Sequence, residues 1–198
     1  MLSYNESLKI LKETNALLEG HFILSSGLHS NQYVQCAKLL SYPKKAEIIC
    51  AALTEKIKNN FNKIDIVLSP ALGGIVVGYE IGKQLNTQTI FAERTDDKLT
   101  LRRGFAIPQD SNVLIVEDVI TTGKSAIECS EIVKINKANL VGFACIIDRS
   151  DNNVLIKEII VSQIKINMVV FKENELPDEL KKIPVIIPGS RNLSNDQN

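Results

Sequence analysis

The sequence predicts an α/β protein in which a parallel sheet carries helices on both faces. Short, mostly apolar runs that suit buried strands alternate with longer stretches whose apolar residues recur every three or four positions. The 198 residues are 44% hydrophobic and 23% charged, a composition typical of a globular domain. Neither a repeat nor a low-complexity linker marks an internal boundary, so we expect a single domain.

The N-terminal part of the chain begins with a helix that we predict over residues 3–18. Residues 21–40 favour an extended conformation, with a turn at residues 25–27, where the sequence is Ser-Ser-Gly. Pro43 stands where a helix prefers its first residue, and apolar side chains from Ala46 to Ile57 then share one helical face. A second helix is therefore expected after Pro43.

The central part of the chain alternates strands with helices. Strands are predicted over residues 64–68, 89–92, 113–116 and 140–147. Helices are predicted after residues 69–74, ending near Gln84, and over residues 124–135. Residues 159–161 and 169–171 are candidate edge strands, although the apolar run 154–171 as a whole matches no motif, and the polar residues 192–198 are expected to fray.

Charge and composition argue against several classes of protein. Lysine plus arginine total 23 and aspartate plus glutamate total 23, so the zero formal charge disfavours a broad nucleic-acid-binding face. No apolar run reaches the length of a membrane span, and the first residues lack the pattern of a secretory signal. The four cysteines form no C-x-x-C pair, and we expect Cys50, Cys129 and Cys145 to be reduced core thiols of a cytoplasmic protein.

The most informative chemical pattern lies in residues 113–125. Four apolar residues, typical of a strand buried on both faces, are followed by Glu117 and Asp118. A Thr-Thr-Gly-Lys-Ser turn then opens a helix, whose first N–H groups can hold a phosphate. Ligands of open α/β sheets bind at the carboxyl ends of strands, and the two carboxylates there can accept hydrogen bonds from vicinal sugar hydroxyls. The pattern favours a ligand that carries both a diol and a phosphate.

Two other interpretations of this segment remain. A Walker A loop is disfavoured because it needs a glycine at the position of Asp118. Alternatively, the two acids form a charge pair at a strand end and the threonines simply cap the following helix.

Residues 116–125, Val-Glu-Asp-Val-Ile-Thr-Thr-Gly-Lys-Ser, resemble the phosphoribosyl-pyrophosphate signature of type I phosphoribosyltransferases. Residues 20–30 with Tyr33, and residues 90–94 and 101–105, resemble blocks of the orotate phosphoribosyltransferases. Arg149 follows the next strand, where that family places its base-binding arginine. The resemblance covers roughly residues 18–150 and makes orotate the expected base. A purine or uracil transferase is the first alternative, and a non-catalytic regulator that senses the sugar phosphate is the second.

The resemblance implies a parallel sheet flanked by helices in one domain of residues 1–198, with a small N-terminal hood (about residues 1–40) that contributes to the base site. The implied reaction transfers a phosphoribosyl group from 5-phosphoribosyl-1-pyrophosphate to orotate, giving orotidine 5′-monophosphate for UMP synthesis. Mg²⁺ is the implied cofactor, with no residue assigned as a metal ligand. The implied assembly is a homodimer that completes its sites across the interface, without nucleic acid or membrane as a partner.

The same resemblance implies roles for individual residues. Thr121 and Arg149 would contact orotate, and Arg149 would grip its carboxylate as a planar, bidentate guanidinium. Lys98 and Asp118 would be catalytic. The residues expected to bind the phosphoribosyl donor are Arg94, Glu117, Asp118, Val119, Ile120, Thr121, Thr122, Gly123, Lys124 and Ser125. Lys98 lies in residues 93–100, which match the family's mobile catalytic loop, and would donate positive charge to pyrophosphate in the partner subunit's site. A plain surface charge is the alternative for both Arg149 and Lys98.

The sequence departs from the familiar loop of this family at Thr95 and Thr100, where basic residues are expected. Arg102 and Arg103 are the alternative sources of that charge.

Gly73 and Ser25 stand where some members carry lysine. Gly73 and Gly74 instead permit backbone N–H groups to approach pyrophosphate closely. His29 is either a base-site residue or, more commonly for a lone histidine in a turn, a structural one.

Overall fold

The computed structural model describes residues 2–24, 26–151 and 154–188. Ser25 and residues 192–198, which were considered above, lie outside the described residues. The helices are α1 (Tyr4–Glu13), α2 (Cys36–Leu40), α3 (Pro43–Asn60), α4 (Gly73–Leu85), α5 (Lys124–Ile135) and α6 (Asp178–Lys181), with a 3₁₀ turn at Glu173–Glu175. The strands are β1 (Leu17–Ile23), β2 (His29–Val34), β3 (Ile66–Pro70), β4 (Gln88–Thr95), β5 (Lys98–Leu101), β6 (Asn112–Ile120), β7 (Asn139–Asp148), β8 (Ile160–Lys165), β9 (Val170–Phe171) and β10 (Val185–Ile186).

The main sheet has six strands in the order β5-β4-β3-β6-β7-β8, and all neighbouring pairs are parallel except β4 with β5. Alternate side chains of its central strands enter two separate apolar cores. In β6, Leu114 and Val116 pack with residues of α1 to α4, whereas Val113 and Ile115 pack with residues of α5. The predicted α/β architecture, with helices on both faces of a parallel sheet, is confirmed.

A small four-stranded sheet forms beside the main one, in the order β10-β1-β2-β9. Its centre is the antiparallel pair β1 and β2, which lies within the hood. Strand β10 joins β1 in parallel, and β9 joins β2 in antiparallel orientation. The predicted edge strand at residues 169–171 thus belongs to this small sheet, whereas the one at residues 159–161 begins β8 at the edge of the main sheet.

Two buried histidines link the two ends of the chain inside the small sheet. His21 Nε2 lies 2.7 Å from His29 Nδ1, and His21 Nδ1 lies 3.1 Å from the carbonyl oxygen of Ile183. Both histidines are buried. Of the two roles considered for His29, the structure supports the structural one, because its ring is hydrogen-bonded within the small sheet.

The first helix is shorter than predicted, because it ends at Glu13 and not near residue 18. Ser3 and Glu6 form a capping box at its start, which satisfies the first backbone donors. At its other end the Thr14 hydroxyl donates to Ile10 O at 2.8 Å, and Asn15 adopts a left-handed conformation with φ 54°. The apolar residues that follow therefore begin β1 and do not extend the helix.

Two further segments differ from the sequence-based expectation. The extended stretch predicted to reach residue 40 ends in the short helix α2. Residues 93–100, expected to form a mobile loop, lie instead in a β-hairpin of β4 and β5. Asp96 and Asp97 form its two-residue turn with positive φ angles of 47° and 65°, the combination that matches the twist of a tight hairpin.

The cysteines are free and buried, as predicted for Cys50, Cys129 and Cys145; Cys36 is free and buried as well. Burial raises the pKa of Cys50 to about 12, so this thiol stays protonated near neutral pH. Within the described part of the chain, no helix has both the length and the apolarity to cross a bilayer.

Candidate active site

The two adjacent carboxylates lie within strand β6, which is longer than predicted. Hydrogen-bonded pairing with β7 continues through Glu117 and ends where Ile120 faces Asp148. Glu117 and Asp118 therefore lie near the C-terminal end of the strand, close to the start of the following loop. This places both carboxylates at the carboxyl edge of the parallel sheet, where ligands of such sheets bind.

Residues 121–125, called here the phosphate loop, connect β6 to helix α5. Gly123 is the residue before the helix and has a φ of 78°, a conformation that favours glycine. The Lys124 N–H donates to the Thr122 hydroxyl at 3.4 Å. The loop encloses a concavity of about 90 Å³, lined by Glu117, Val119, Ile120, Thr121, Thr122, Gly123, Lys124 and Ser125. The first backbone N–H groups of α5 and two threonine hydroxyls can therefore act together on an anion.

A segment after β7 packs against the phosphate loop. The Leu155 N–H donates to the carbonyl oxygen of Thr122 at 3.0 Å. A Cβ atom on Gly123 would lie 2.8 Å from the side chain of Ile156, so this close packing also requires glycine. Sequence reasoning assigned no role to these residues; the apolar residues at positions 154–156, soon after Arg149, were the available signal.

The carboxylate of Asp118 lies directly against the start of α4. Its Oδ1 accepts the Val119 N–H at 2.9 Å. A Cβ atom on Gly73 would lie 2.8 Å from each carboxylate oxygen, so a side chain at position 73 would require the Asp118 carboxylate to move.

Both carboxylates lie where their charged forms are disfavoured. Burial, and secondarily the charge of Asp118, raises the pKa of Glu117 to about 8. Burial also raises the pKa of Asp118, opposed by its hydrogen bonds to backbone N–H groups. A ligand that brings hydroxyl donors or a cation would offset this cost. The described residues contain no cluster of three or more potential metal ligands.

We expect Glu117→Gln to stabilise the ligand-free protein at high pH. The folded state keeps a proton on Glu117 up to about pH 8, whereas the ordinary value is 4.5. The folded state therefore binds the extra proton within this window, and wild-type stability falls as pH rises through it. Each pKa unit corresponds to about 1.4 kcal/mol, so the variant gains up to a few kcal/mol relative to wild type by pH 9 and nothing at pH 4.

The measurement is the melting temperature of both proteins from pH 4 to pH 9 without ligand. Glu131→Gln, an exposed change on α5, is the matched control and should run parallel to wild type. Parallel curves for Glu117→Gln and wild type would contradict the raised pKa.

Arg149 directly follows strand β7. Its backbone N–H donates to Ile120 O at 2.8 Å. Its Nε is buried and has no hydrogen-bond partner among the described residues. Burial lowers the pKa of Arg149, opposed by Tyr33 of the hood. A half-buried cation whose Nε has no hydrogen-bond partner among the described residues is suited to an anionic group of a ligand.

Arg94 and Lys98 lie on the β4–β5 hairpin and not in the lining of the phosphate-loop concavity. Arg94 Nη1 donates to Asp97 O at 2.5 Å, and its Nη2 lies 3.0 Å from Glu128 of α5. Lys98 is exposed. The hairpin therefore holds Arg94 beside α5 and leaves the Lys98 ammonium in solvent.

The two alternative sources of loop charge differ in their surroundings. Arg103 donates to both carboxylate oxygens of Glu93 at 2.8 Å and lies 5.8 Å from the ring centre of Phe91. Arg102 is exposed. A bidentate ion pair restrains the guanidinium of Arg103, so this residue is the less available of the two for a ligand.

The chain is similar to known proteins in its sequence and in its fold. A family model described as "Phosphoribosyl transferase domain" matches residues 40–179. The chain is 47% identical over 186 residues to a protein of Caldicellulosiruptor saccharolyticus named orotate phosphoribosyltransferase, covering 94% of this chain and 96% of that protein.

Solved structures share the fold at lower identity. The crystal structure of orotate phosphoribosyltransferase from Aeropyrum pernix matches with a TM-score of 0.69 and 22% identity, covering 80% of this chain and 92% of that one. Adenine phosphoribosyltransferase from Thermoanaerobacter pseudethanolicus matches with a TM-score of 0.59 and 16% identity, covering 68% of this chain and 88% of that one. Because enzymes named for different bases share this fold, the fold alone does not select the base.

Proposed function

Because this chain belongs to the orotate phosphoribosyltransferase family, we propose that it transfers the 5-phosphoribosyl group of 5-phosphoribosyl-1-pyrophosphate to orotate. The products are orotidine 5′-monophosphate and pyrophosphate, and the reaction belongs to the synthesis of UMP. The observation that carries the choice of base is Arg149, a half-buried guanidinium without a hydrogen-bond partner for Nε in the described chain. The carboxylate of orotate is an anion of the size and shape that a guanidinium binds through two parallel hydrogen bonds.

The phosphate loop holds the 5′-phosphate, and the two carboxylates of β6 hold the ribose. Thr121 and Thr122 are exposed at the mouth of the concavity and donate hydroxyl hydrogen bonds, while backbone N–H groups at the start of α5 donate the rest. Glu117 and Asp118 accept hydrogen bonds from the 2′- and 3′-hydroxyls. Their negative charge also stabilises the positive charge that develops on the ribose ring as pyrophosphate departs.

Pyrophosphate binds at the start of helix α4, where backbone N–H groups of Gly73 and Gly74 replace a lysine side chain. Mg²⁺, when bound, neutralises pyrophosphate charge and polarises the bond to the leaving group. The donor set fits this ion, because Glu117 and Asp118 offer hard oxygen ligands whose raised pKa values a nearby cation would lower. These two residues would orient the ribose hydroxyls.

Lys98 acts in the site of a second copy of this chain, so the active form is a homodimer. Two observations support this arrangement. Lys98 is exposed on the β4–β5 hairpin and does not line the concavity of its own chain. Leu72, Val76 and Tyr79 form an apolar stripe beside the pyrophosphate region, at the start of α4 and along it, and are 83%, 50% and 66% exposed. A second copy would cover this stripe and bring its hairpin near the neighbouring site.

Mixing two inactive variants tests the shared site. Lys98→Ala and Asp118→Ala chains, combined and allowed to exchange subunits, should recover about one quarter of wild-type activity, because half of the dimers carry one intact site of two. Each variant alone should be inactive. Absence of recovery, with subunit exchange verified by mass, would show that each chain supplies its own Lys98. Activity of Lys98→Ala by itself would show that Lys98 is dispensable.

Two further proposals concern the domain organisation and the cellular location of the protein. We propose one domain over residues 1–198, since the small sheet takes strands from both ends of the chain. We also propose a cytoplasmic location, supported by four free buried cysteines, which suit a reducing compartment.

The assay that tests the function supplies purified protein with 5-phosphoribosyl-1-pyrophosphate, Mg²⁺ and one base at a time. We expect orotate to be consumed and orotidine 5′-monophosphate to form. The kcat/KM for uracil, adenine and hypoxanthine should be lower by a factor of about 100 or more, which is the factor expected when a charged bidentate contact is lost. Turnover of adenine or hypoxanthine without turnover of orotate would overturn the assignment. Binding of the sugar donor without turnover of any base would instead indicate a non-catalytic sensor.

A further inference from the structure

Asp148 is a buried carboxylate directly before Arg149, at the end of strand β7. The residue is 7% exposed. Its Oδ1 accepts the backbone N–H of Ser150 at 2.7 Å, and its Oδ2 lies 3.4 Å from Nζ of Lys165 in β8. Asp148 does not line the phosphate-loop concavity. A contact with the phosphate of the donor therefore does not explain why this carboxylate is buried.

The backbone around Arg149 is held from three directions. The carbonyl oxygen of Asp148 accepts the Ile166 N–H at 2.9 Å, and the Arg149 N–H donates to Ile120 O at 2.8 Å. The third contact is the bond from the Ser150 N–H to the Asp148 carboxylate. In this Asx-type turn a side-chain oxygen takes the place of a backbone acceptor, which only a short polar side chain can do.

The two contacts of the carboxylate differ in strength. Lys165 is 54% exposed at its side chain, so its ion pair with Asp148 is screened by solvent and contributes little. The bond from the Ser150 N–H is buried and charge-assisted, and is therefore the stronger contact. Burial of a carboxylate is costly unless a specific interaction offsets the cost, and here that interaction fixes the turn on which Arg149 stands.

We propose that Asp148 is a positioning residue for the recognition of orotate, acting through the turn that sets the direction of Arg149. This inference rests on the proposed function, since it assumes that Arg149 binds the carboxylate of orotate. The Nε of Arg149 lacks a partner in the described chain, so no other polar contact at that atom restrains the guanidinium. A displacement of about 1 Å at a binding group can change a rate about 100-fold.

Three variants separate the contacts of Asp148. Asp148→Ala removes both contacts and should raise the KM for orotate about tenfold or more, with the KM for 5-phosphoribosyl-1-pyrophosphate within about twofold of wild type. Asp148→Asn keeps the oxygen that accepts from Ser150 and should restore the orotate KM to within about threefold of wild type. Lys165→Gln removes only the ion pair and should behave as wild type. The ratio of kcat/KM for orotate to that for uracil, which lacks the carboxylate, should fall in Asp148→Ala alone.

The outcomes are distinguishable. An equal rise of both KM values in Asp148→Ala, or an Asp148→Asn variant as impaired as Asp148→Ala, would overturn the positioning role. If Asp148→Ala does not fold, Asp148→Glu keeps the charge but lengthens the side chain, and it should show the same selective rise in orotate KM; an unchanged orotate KM would overturn the proposal. Failure of the wild-type protein to use orotate would overturn the proposed function itself, before any variant is compared.

Discussion

Replacing Arg149 by alanine should lower kcat/KM for orotate by about 100- to 10,000-fold and leave the affinity for 5-phosphoribosyl-1-pyrophosphate close to that of wild type. A hydrogen bond to a charged group contributes about 1.5–3 kcal/mol, and a bidentate contact loses two of them. A loss of about 1.4 kcal/mol corresponds to a tenfold change, which gives the expected range. Steady-state kinetics with orotate, and calorimetric titration with the donor, measure the two effects separately.

The melting temperature provides an independent test of the same residue. Burial lowers the pKa of Arg149, and its Nε has no hydrogen-bond partner in the described chain, so the guanidinium costs free energy in the ligand-free protein. Arg149→Ala should therefore melt at the same temperature as wild type or higher. Arg149→Lys keeps the positive charge but not the planar guanidinium. Its kcat/KM for orotate should lie between those of wild type and Arg149→Ala. A variant that loses donor affinity as strongly as orotate turnover would contradict this role.

Replacing Asp118 by asparagine should lower kcat/KM for the sugar donor by about 100-fold. The amide oxygen can still accept the Val119 N–H that Asp118 Oδ1 accepts at 2.9 Å, so the local fold is retained. In the proposed mechanism, the change removes the negative charge that stabilises the positive charge developing on the ribose, and it replaces one acceptor with a donor. Such losses of preorganised electrostatic contacts cost about 10²–10³ in rate.

Steady-state kinetics with varied donor concentration measure this effect, with the melting temperature as a test of folding. Burial raises the pKa of Asp118, so the neutral amide should not lower the melting temperature. Asp178→Asn is the matched control, because Asp178 is exposed and pairs with Lys181 on α6. If Asp118→Asn shows the same donor kinetics as wild type, Asp118 has no catalytic role.

Much of this protein could be predicted because its signals are local in the chain. The two carboxylates, the threonines and the glycine of residues 117–125 are contiguous, and a strand followed by a turn and a helix brings them together without long-range information. The alternation of apolar strands with amphipathic helices similarly predicts the parallel sheet, because period and length are properties of each segment. The helix after Pro43 and the helix over residues 124–135 were located correctly for the same reason.

The errors in prediction occurred where distant segments determine the conformation. Strand β6 extends to Ile120 because β7 continues to pair with it, although the apolar run stops at Val116. Residues 93–100 contain few apolar residues, yet β4 and β5 pair as a hairpin, with Leu99 buried against the core. The first helix ends early because Ala16 and Leu17 are buried at the start of β1.

Local periodicity is a property of each segment, and it was sufficient for the fold class. The strand-to-helix signature and the position of Arg149 after a strand can also be read from the order of the residues, and the roles assigned to them stay predictions. Three further features depend on three-dimensional packing: Gly73 facing Asp118, Ile156 packed on Gly123, and the contacts of His21 with His29 and with the carbonyl oxygen of Ile183. A two-residue strand such as β10 has no periodic signal, and a contact between residues far apart in the chain depends on how the elements between them pack. Such contacts become visible only when the folded chain brings both partners together.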